Sequence, residues 1–393
     1  MCFPWNPLSL SQDIKRCLKP SFSGDEISSL NNNTVLARDV HGVSYLPGFV
    51  GLNNLKCTDY VNVVLHALSH VQPIRDYFLN PQNYAFVSKE KAPIVHKFGE
   101  VMRKLWSKSN FKSVVSPHDF VQEVTVSSGR RFHIGKQAEA VDLMMWLLNE
   151  LHRGLGGNRK SNSSVIHRTF QGNVKVNKLS KTKREAPKSG GGEQDEDAEL
   201  LEKAPVTAPE WTRSTMSSPF LILNLEIPAT PLFKDSQGGQ VIPQIPLLEV
   251  LKKYDGQTWT DHVGPTGLER KQYIIEKLPK YLIFHLGRFT KNNFYLEKNH
   301  TIVNFPVKNL EMKPYFASSS EDPLVSAKYD LIANICHDSH VSIGENLSSS
   351  STLNSTQQGE AVQALKKGAA PVKSVLDNGI YRVHTRNKAT DQW

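Results

Sequence analysis

The chain of 393 residues carries 47 Lys and Arg against 38 Asp and Glu, a formal net charge of +9, and a hydrophobic fraction of 39% that suffices for a sizeable core. It has no run of 18 apolar residues, which excludes a helical membrane span. Its four cysteines (Cys2, Cys17, Cys57 and Cys336) are scattered without a C-x-x-C pair, so neither a disulfide framework nor a zinc ribbon is indicated.

Residues 1–45 read as a polar, loop-rich segment, and Met1 to Cys17 lacks the basic and then apolar regions of a signal peptide. From Asp59 onward, Val61, Val64, Leu65, Leu68 and Val71 follow helical spacing. Asp59 therefore falls at a helix start, where aspartate is a favoured N-cap and its charge suits the positive end of the dipole. Apolar residues at 98, 101, 102 and 105 predict a second helix over Phe98 to Trp106. Ser116 and Pro117 predict an N-cap and first helical position. Gln137 to His152 is apolar on more than one side, which predicts a buried helix.

Strand patterns follow. Leu221, Leu223 and Leu225 alternate before Pro228, Tyr281 to Leu286 follows Leu278-Pro279, and Tyr329 to Cys336 alternates as well. Helices first and a mostly antiparallel strand set afterwards read as α+β. Residues 177–214 and 343–376 are poor in large apolar side chains, which predicts disordered insertions. The run Lys181-Thr182-Lys183-Arg184 fits a nuclear localisation signal or a solvated linker. The sequons at Asn346 and Asn354 are read as chance matches, with no secretory signal to give them meaning. The basic balance fits ribonucleoprotein association and an ordinary lysine-rich surface equally. With no RNP-type or KH-type pattern, RNA contact is expected to be indirect or weak.

The stretch Gly51-Leu52-Asn53-Asn54-Leu55-Lys56-Cys57-Thr58-Asp59-Tyr60-Val61-Asn62 resembles the nucleophile segment of the ubiquitin-specific proteases, G-L-x-N-L-G-N-T-C-Y-M-N. Gln137 to Met144 with Leu147-Leu148 resembles the family's Q-Q-D-A-x-E-F-L…L-L helix. Phe170-Gln171-Gly172, Pro219 to Pro228, Leu278 to Phe289, Val303 to Pro306 and Tyr329 to His337 resemble its strand motifs, in the same order. The resemblance covers residues 46–393. It implies an α+β, papain-like fold with thumb helices over residues 59–152 and antiparallel palm and fingers strands. That fold would lack a zinc ribbon, be cut short at its C-terminus and follow a 1–45 linker. Leu18 to Phe22 resembles the linker after a ubiquitin-binding zinc finger, so an upstream finger is expected to be missing.

Within the family, Arg288 to Phe294, Thr301 to Pro306 and Tyr329 to Ile335 resemble the catalytically inactive branch of the spliceosomal tri-snRNP, which also carries aspartate at the cysteine position. That resemblance implies a nuclear, non-catalytic scaffold in pre-mRNA splicing. Its partners would be tri-snRNP proteins, with ubiquitin a further candidate. No cofactor, metal or membrane is expected.

Family chemistry needs a cysteine, a histidine base, an orienting Asp or Asn and an oxyanion donor. By the resemblance, Asp59 holds the nucleophile position and Cys57 the oxyanion position, where a thiol is a poor donor. Gly379-Ile380-Tyr381 matches the family's G-H-Y, which puts Ile380 at the base, and isoleucine cannot accept a proton. The third member should follow a tryptophan, yet the chain ends at Trp393. A relocated pair of Cys57 and His384 would need both groups to move, since Cys57 lies up to ~7 Å from position 59 and His384 about 13 Å from position 380. A buried, inert thiol is the alternative for Cys57. Asp59 could cleave a peptide only beside a paired aspartate, and none is suggested. His337 reads as structural. Two rival readings remain, an active cysteine-type deubiquitinase and a ubiquitin-binding module that does not cut.

Overall fold

The computed structural model describes residues 17–160, 162–181, 211–229, 242–264, 267–291, 296–316, 327–339, 376 and 379–393. Residues 182–210 and 343–375, with most of the basic run and both sequons, lie outside the described residues.

Part of the N-terminal segment is more ordered than its composition predicts. A short helix α1 (Gly24–Ser29) starts on a reciprocal capping box. Ser23 Oγ accepts from the Glu26 N–H at 3.2 Å, and the Glu26 carboxylate accepts from the Ser23 N–H at 2.9 Å. Strands β1 (Ala37–Arg38) and β2 (Ser44–Tyr45) then pair antiparallel. Asp39 Oδ1 holds their turn by accepting from the His41 and Val43 N–H groups, each at 2.9 Å.

Strand β3 (Gly51–Leu52) leads to the helical half. Its helices are α2 (Asp59–Ser69), α3 (Gln72–Leu79), α4 (Pro93–Trp106), α5 (His118–Ser127), α6 (Ala140–Gly154) and α7 (Val165–Phe170), with β4 (Val114–Val115) paired parallel to β3. All of α2 except His66 is buried, so it is the central helix of this half. Leu143, Leu147, Leu148 and Leu151 of α6 are buried, with Val141 and Met145 packed half-buried beside them. Helix α5 begins one residue later than its sequence predicts, with Pro117 as N-cap. Helices α3 and α7, of eight and six residues, escaped the sequence reading because so short a span leaves too little periodicity to see.

The second half holds β5 (Gly172–Lys181), β6 (Trp211–Phe220), β7 (Leu223–Glu226), β8 (Gln244–Pro246), helix α8 (Leu247–Leu251), β9 (Asp255–Gly264) and β10 (Gly267–Lys277). Strands β6, β5, β10 and β9 form an antiparallel sheet in that order. Residues 177–181 and 211–214, expected to be disordered, are instead the far ends of β5 and β6, in register from Gly172↔Phe220 to Lys181↔Trp211. Cross-strand side-chain pairs supply what apolar burial does not. Asn177 Nδ2 donates to Gln272 Oε1 at 2.9 Å, and Thr215 Oγ1 donates to Asn177 Oδ1 at 2.9 Å.

The chain continues through β11 (Phe284–Gly287), β12 (Phe289–Lys291), β13 (Leu296–Lys298), β14 (Ile302–Asn304), β15 (Leu310–Glu311), β16 (Lys328–Tyr329), β17 (Ala333–Ser339) and β18 (Gly379–Thr385). The mixed α+β class is as the sequence predicts. The strand set is less uniformly antiparallel than expected, because β7 pairs parallel to β11 and β8 parallel to β14.

Two hydrophobic cores organise these elements. One lies under the sheet and includes Val174, Leu225, Leu251, Ile275 and Met312. The other gathers the helices and also takes in Leu221, Ile222 and Tyr381. Burying each large side chain stabilises by about 1.5–3 kcal/mol. Tyr381 matters most for the site, because its burial draws the C-terminal strand β18 onto the start of α2.

Candidate functional site

The loop before α2 is built by its own side chains. Asn54 Oδ1 accepts from the Thr58 N–H at 3.0 Å, and Thr58 Oγ1 accepts from the Leu55 N–H at 2.8 Å. Asn62 Nδ2 donates to Asn53 O at 3.2 Å. Gly135 N–H donates to Lys56 O at 2.9 Å, tying the loop to the segment that precedes α6. Lys56 and Cys57 both take left-handed backbone angles, with φ of 79° and 53°. Glycine and asparagine, the residues of the family motif at these places, enter that region more readily than lysine and cysteine do. Lys56→Gly is therefore expected to stabilise the fold by about 0.5–1 kcal/mol, read by urea denaturation. An equal loss would mean that the lysine side chain matters more than the backbone angle. Cys57 is exposed, not the buried thiol expected, because the turn projects it outward.

Asp59 is the first helical residue of α2 and not its N-cap, which corrects the reading from spacing. Thr58 is the N-cap and makes no side-chain capping bond. The Asp59 carboxylate faces away from its own helix. Its Oδ2 accepts from the Tyr381 backbone N–H at 2.7 Å, and Gln137 Nε2 lies 3.1 Å from both oxygens. Tyr381 pairs with His337 across β17 and β18, and its N–H points off the opposite, free edge of β18. An unpaired edge N–H at a buried tyrosine needs an acceptor, and a carboxylate is the strongest available. Asp59 thus ties together α2, β18 and the segment before α6.

Ile380 is the neighbour of the residue that Asp59 grips. It lies opposite Asp338 in β18, with its side chain 56% exposed on the face away from Tyr381. His384 lies four residues along on the same exposed face. His337 packs edge-on against Tyr381 at 4.7 Å and Phe289 at 5.2 Å between ring centroids. Burial pushes its imidazole pKa down and the nearby Lys298 adds to that shift. Half-buried between these two rings, His337 fits the structural role read from sequence. Among the described residues, no group of three His, Cys, Asp or Glu side chains is placed to hold a metal.

The sequence motifs contain Gln137 and Tyr381 but do not reveal that they meet Asp59. No periodicity reports contacts separated by 78 and 322 positions. The resulting arrangement is a carboxylate with its donors already in place, beside a strand that offers an alkyl side chain.

Comparison with known proteins gives this geometry a context. Ubiquitin carboxyl-terminal hydrolase 39 of Homo sapiens is 40% identical over 337 residues, which cover 85% of this chain and 58% of that protein. The probable mRNA-splicing protein ubp10 of Schizosaccharomyces pombe is 38% identical over 337 residues, 84% of this chain and 62% of that protein. The chain therefore spans about three-fifths of the length of these relatives. The crystal structure of an essential yeast splicing factor shares the fold, with a TM-score of 0.58 at 24% identity over 85% of this chain and 67% of that one. Residues 50–357 match the family described as ubiquitin carboxyl-terminal hydrolase, and the chain belongs to that family.

Proposed function

We propose that this chain is a non-catalytic scaffold of the ubiquitin-specific protease type that assists spliceosomal tri-snRNP assembly in the nucleus. The observation that carries the reading is Asp59, a carboxylate at the nucleophile position held by the Tyr381 N–H and the Gln137 amide. A carboxylate so engaged is a structural tie, and attack on a peptide carbonyl by this family requires a thiolate. Cys57 at the oxyanion position offers a weak donor, and Ile380 at the base position offers no proton acceptor. The splicing half of the reading is supported by the identity to relatives named for splicing.

In this reading α2 to α6 form the thumb, the four-stranded sheet the fingers, and β17 with β18 part of the palm. Tri-snRNP proteins are the partners, and ubiquitin is a candidate that a titration tests directly. The deciding experiment is a pull-down of the tagged full chain from nuclear extract, with an electrophilic ubiquitin probe applied to the same sample. Recovery of tri-snRNP proteins without an adduct is the expected result. An adduct at Cys57 would overturn the non-catalytic half, and a pull-down lacking tri-snRNP proteins would overturn the splicing half.

A further inference from the structure

Strand β6 is one edge of the four-stranded sheet, and among the described residues no strand pairs with its outer side. It runs in unbroken register with β5, from Gly172↔Phe220 to Lys181↔Trp211, so no bulge twists the edge away. Residues 211–217 are all exposed, Arg213 is the one charged residue of the strand, and Pro219 interrupts the edge only near its end. The opposite edge, β9, is blunted. Its ladder with β10 slips between Gln272 and Ile274, it carries Asp255 and Asp261, and the turns Lys252–Tyr254 and Lys313–Tyr315 pack against it. A long, flat edge with so little charge presents N–H and C=O groups that call for another strand.

The side-chain rows that cross the sheet also reach this edge incomplete. One row reads Asp261, Arg270, Leu179 and Arg213. Its carboxylate, Asp261, is held by Arg270 at 2.9 Å, so among the described residues the Arg213 guanidinium ends the row without a carboxylate. Glu276, on the same face, accepts from Ser217 Oγ at 2.6 Å. On the other face Tyr273, Val176 and Met216 form an apolar row. The first two pack on the core under the sheet, while Met216 is 65% exposed at the edge.

We propose that β6 receives an extended segment of a partner polypeptide as a fifth, antiparallel strand, with an aspartate or glutamate beside Arg213 and an apolar residue beside Met216. Ladder bonds would hold the segment, and the two side chains, three positions apart and on opposite faces, would set its register. A second copy of this chain fits poorly. Its own β6 has no carboxylate to set beside Arg213, and each copy carries a net charge of +9. The surface is separate from the Asp59 site and does not depend on the scaffold reading.

The test titrates the full chain with fluorescein-labelled Thr-Thr-Val-Thr-Val-Glu-Thr-amide, whose glutamate falls beside Arg213 and whose first valine falls beside Met216. Anisotropy reads binding, and hydrogen exchange over residues 211–220 reads its place. Saturable binding with slowed exchange in β6 is expected. Arg213→Glu should weaken it about fivefold, and lysine in place of the peptide's glutamate should restore it. Arg213 is exposed, so its replacement leaves the core intact. Of two peptides N-methylated at alternate positions, one should keep binding and the other lose it, because only every second N–H of an added strand faces its neighbour. Unchanged exchange in β6, equal binding of the two methylated peptides, or a charge swap without rescue would each overturn the proposal. So would light scattering and exchange that show the chain paired through β6 with a second copy of itself.

Discussion

Replacing Asp59 with alanine should lower the free energy of unfolding by about 2–4 kcal/mol. The substitution leaves the Tyr381 N–H and the Gln137 amide without their acceptor, and Tyr381 is itself buried. A buried donor left unpaired costs about 1–3 kcal/mol, and bonds to a charged acceptor are worth roughly twice neutral ones. Asp59→Asn keeps one oxygen for the Tyr381 N–H and should cost only about 1 kcal/mol. Urea denaturation of the three proteins reads the difference, and an alanine loss below that of asparagine would remove the tie as a structural element. Asp59→Cys should also destabilise, and it should stay silent toward an electrophilic ubiquitin probe. In the proposed reading position 380 gives the new thiol no base, and the strand edge loses its charged acceptor. A fast adduct on Asp59→Cys would mean that another group supplies the proton transfer.

Acidification from pH 6.5 to pH 4 should destabilise the fold through two histidines in the same half of the molecule. Burial pushes the His66 and His70 imidazoles down to about 4 from an ordinary 6.5. Arg75 and His66 add to the shift at His70. The unfolded chain takes up protons at both rings below pH 6.5, while the folded chain keeps them neutral until about pH 4. Stability is therefore complete above that window, falls as pH drops through it, and levels off below. At 1.36 kcal/mol per unit, each ring contributes on the order of 3 kcal/mol across the window. Native carboxylates such as Asp39 and Asp255, whose pKa values lie below the ordinary range, lose their contribution only at lower pH. Measurements between pH 6.5 and 5 thus read chiefly the histidines, with Glu139, whose carboxyl pKa burial pushes up, acting in the opposite sense. Other buried imidazoles, His152 and His167 among them, act with the same sign. His70→Asn should flatten the profile by about one ring's share, and an unchanged slope would assign the acid sensitivity elsewhere.

Much of this molecule was legible because its signals are local. The helix from Asp59 and the one ending near Gly154 were visible in 3.6-residue spacing, and their apolar faces are the buried ones. The strand that starts at Gly172 was marked by its motif. The disorder expected over 177–181 and 211–214 failed for a specific reason. Low apolar content is a statement about burial, whereas β5 and β6 are held at their far ends by ladder bonds and by Asn177 reaching both Thr215 and Gln272. The parallel pairs of β7 with β11 and β8 with β14 were invisible because they join segments about 60 residues apart.

The sequence alone determined that aspartate stands at position 59 and isoleucine at position 380. Whatever the fold does, aspartate is not a thiol and isoleucine is not a base. Where the Asp59 carboxylate points was decided only by the tertiary structure. Spacing favoured its own helix, because an N-cap bond is the nearest local option. The strand carrying Tyr381 instead brings a buried edge N–H to within 2.7 Å, and a charged acceptor is the strongest partner for an otherwise unpaired buried donor.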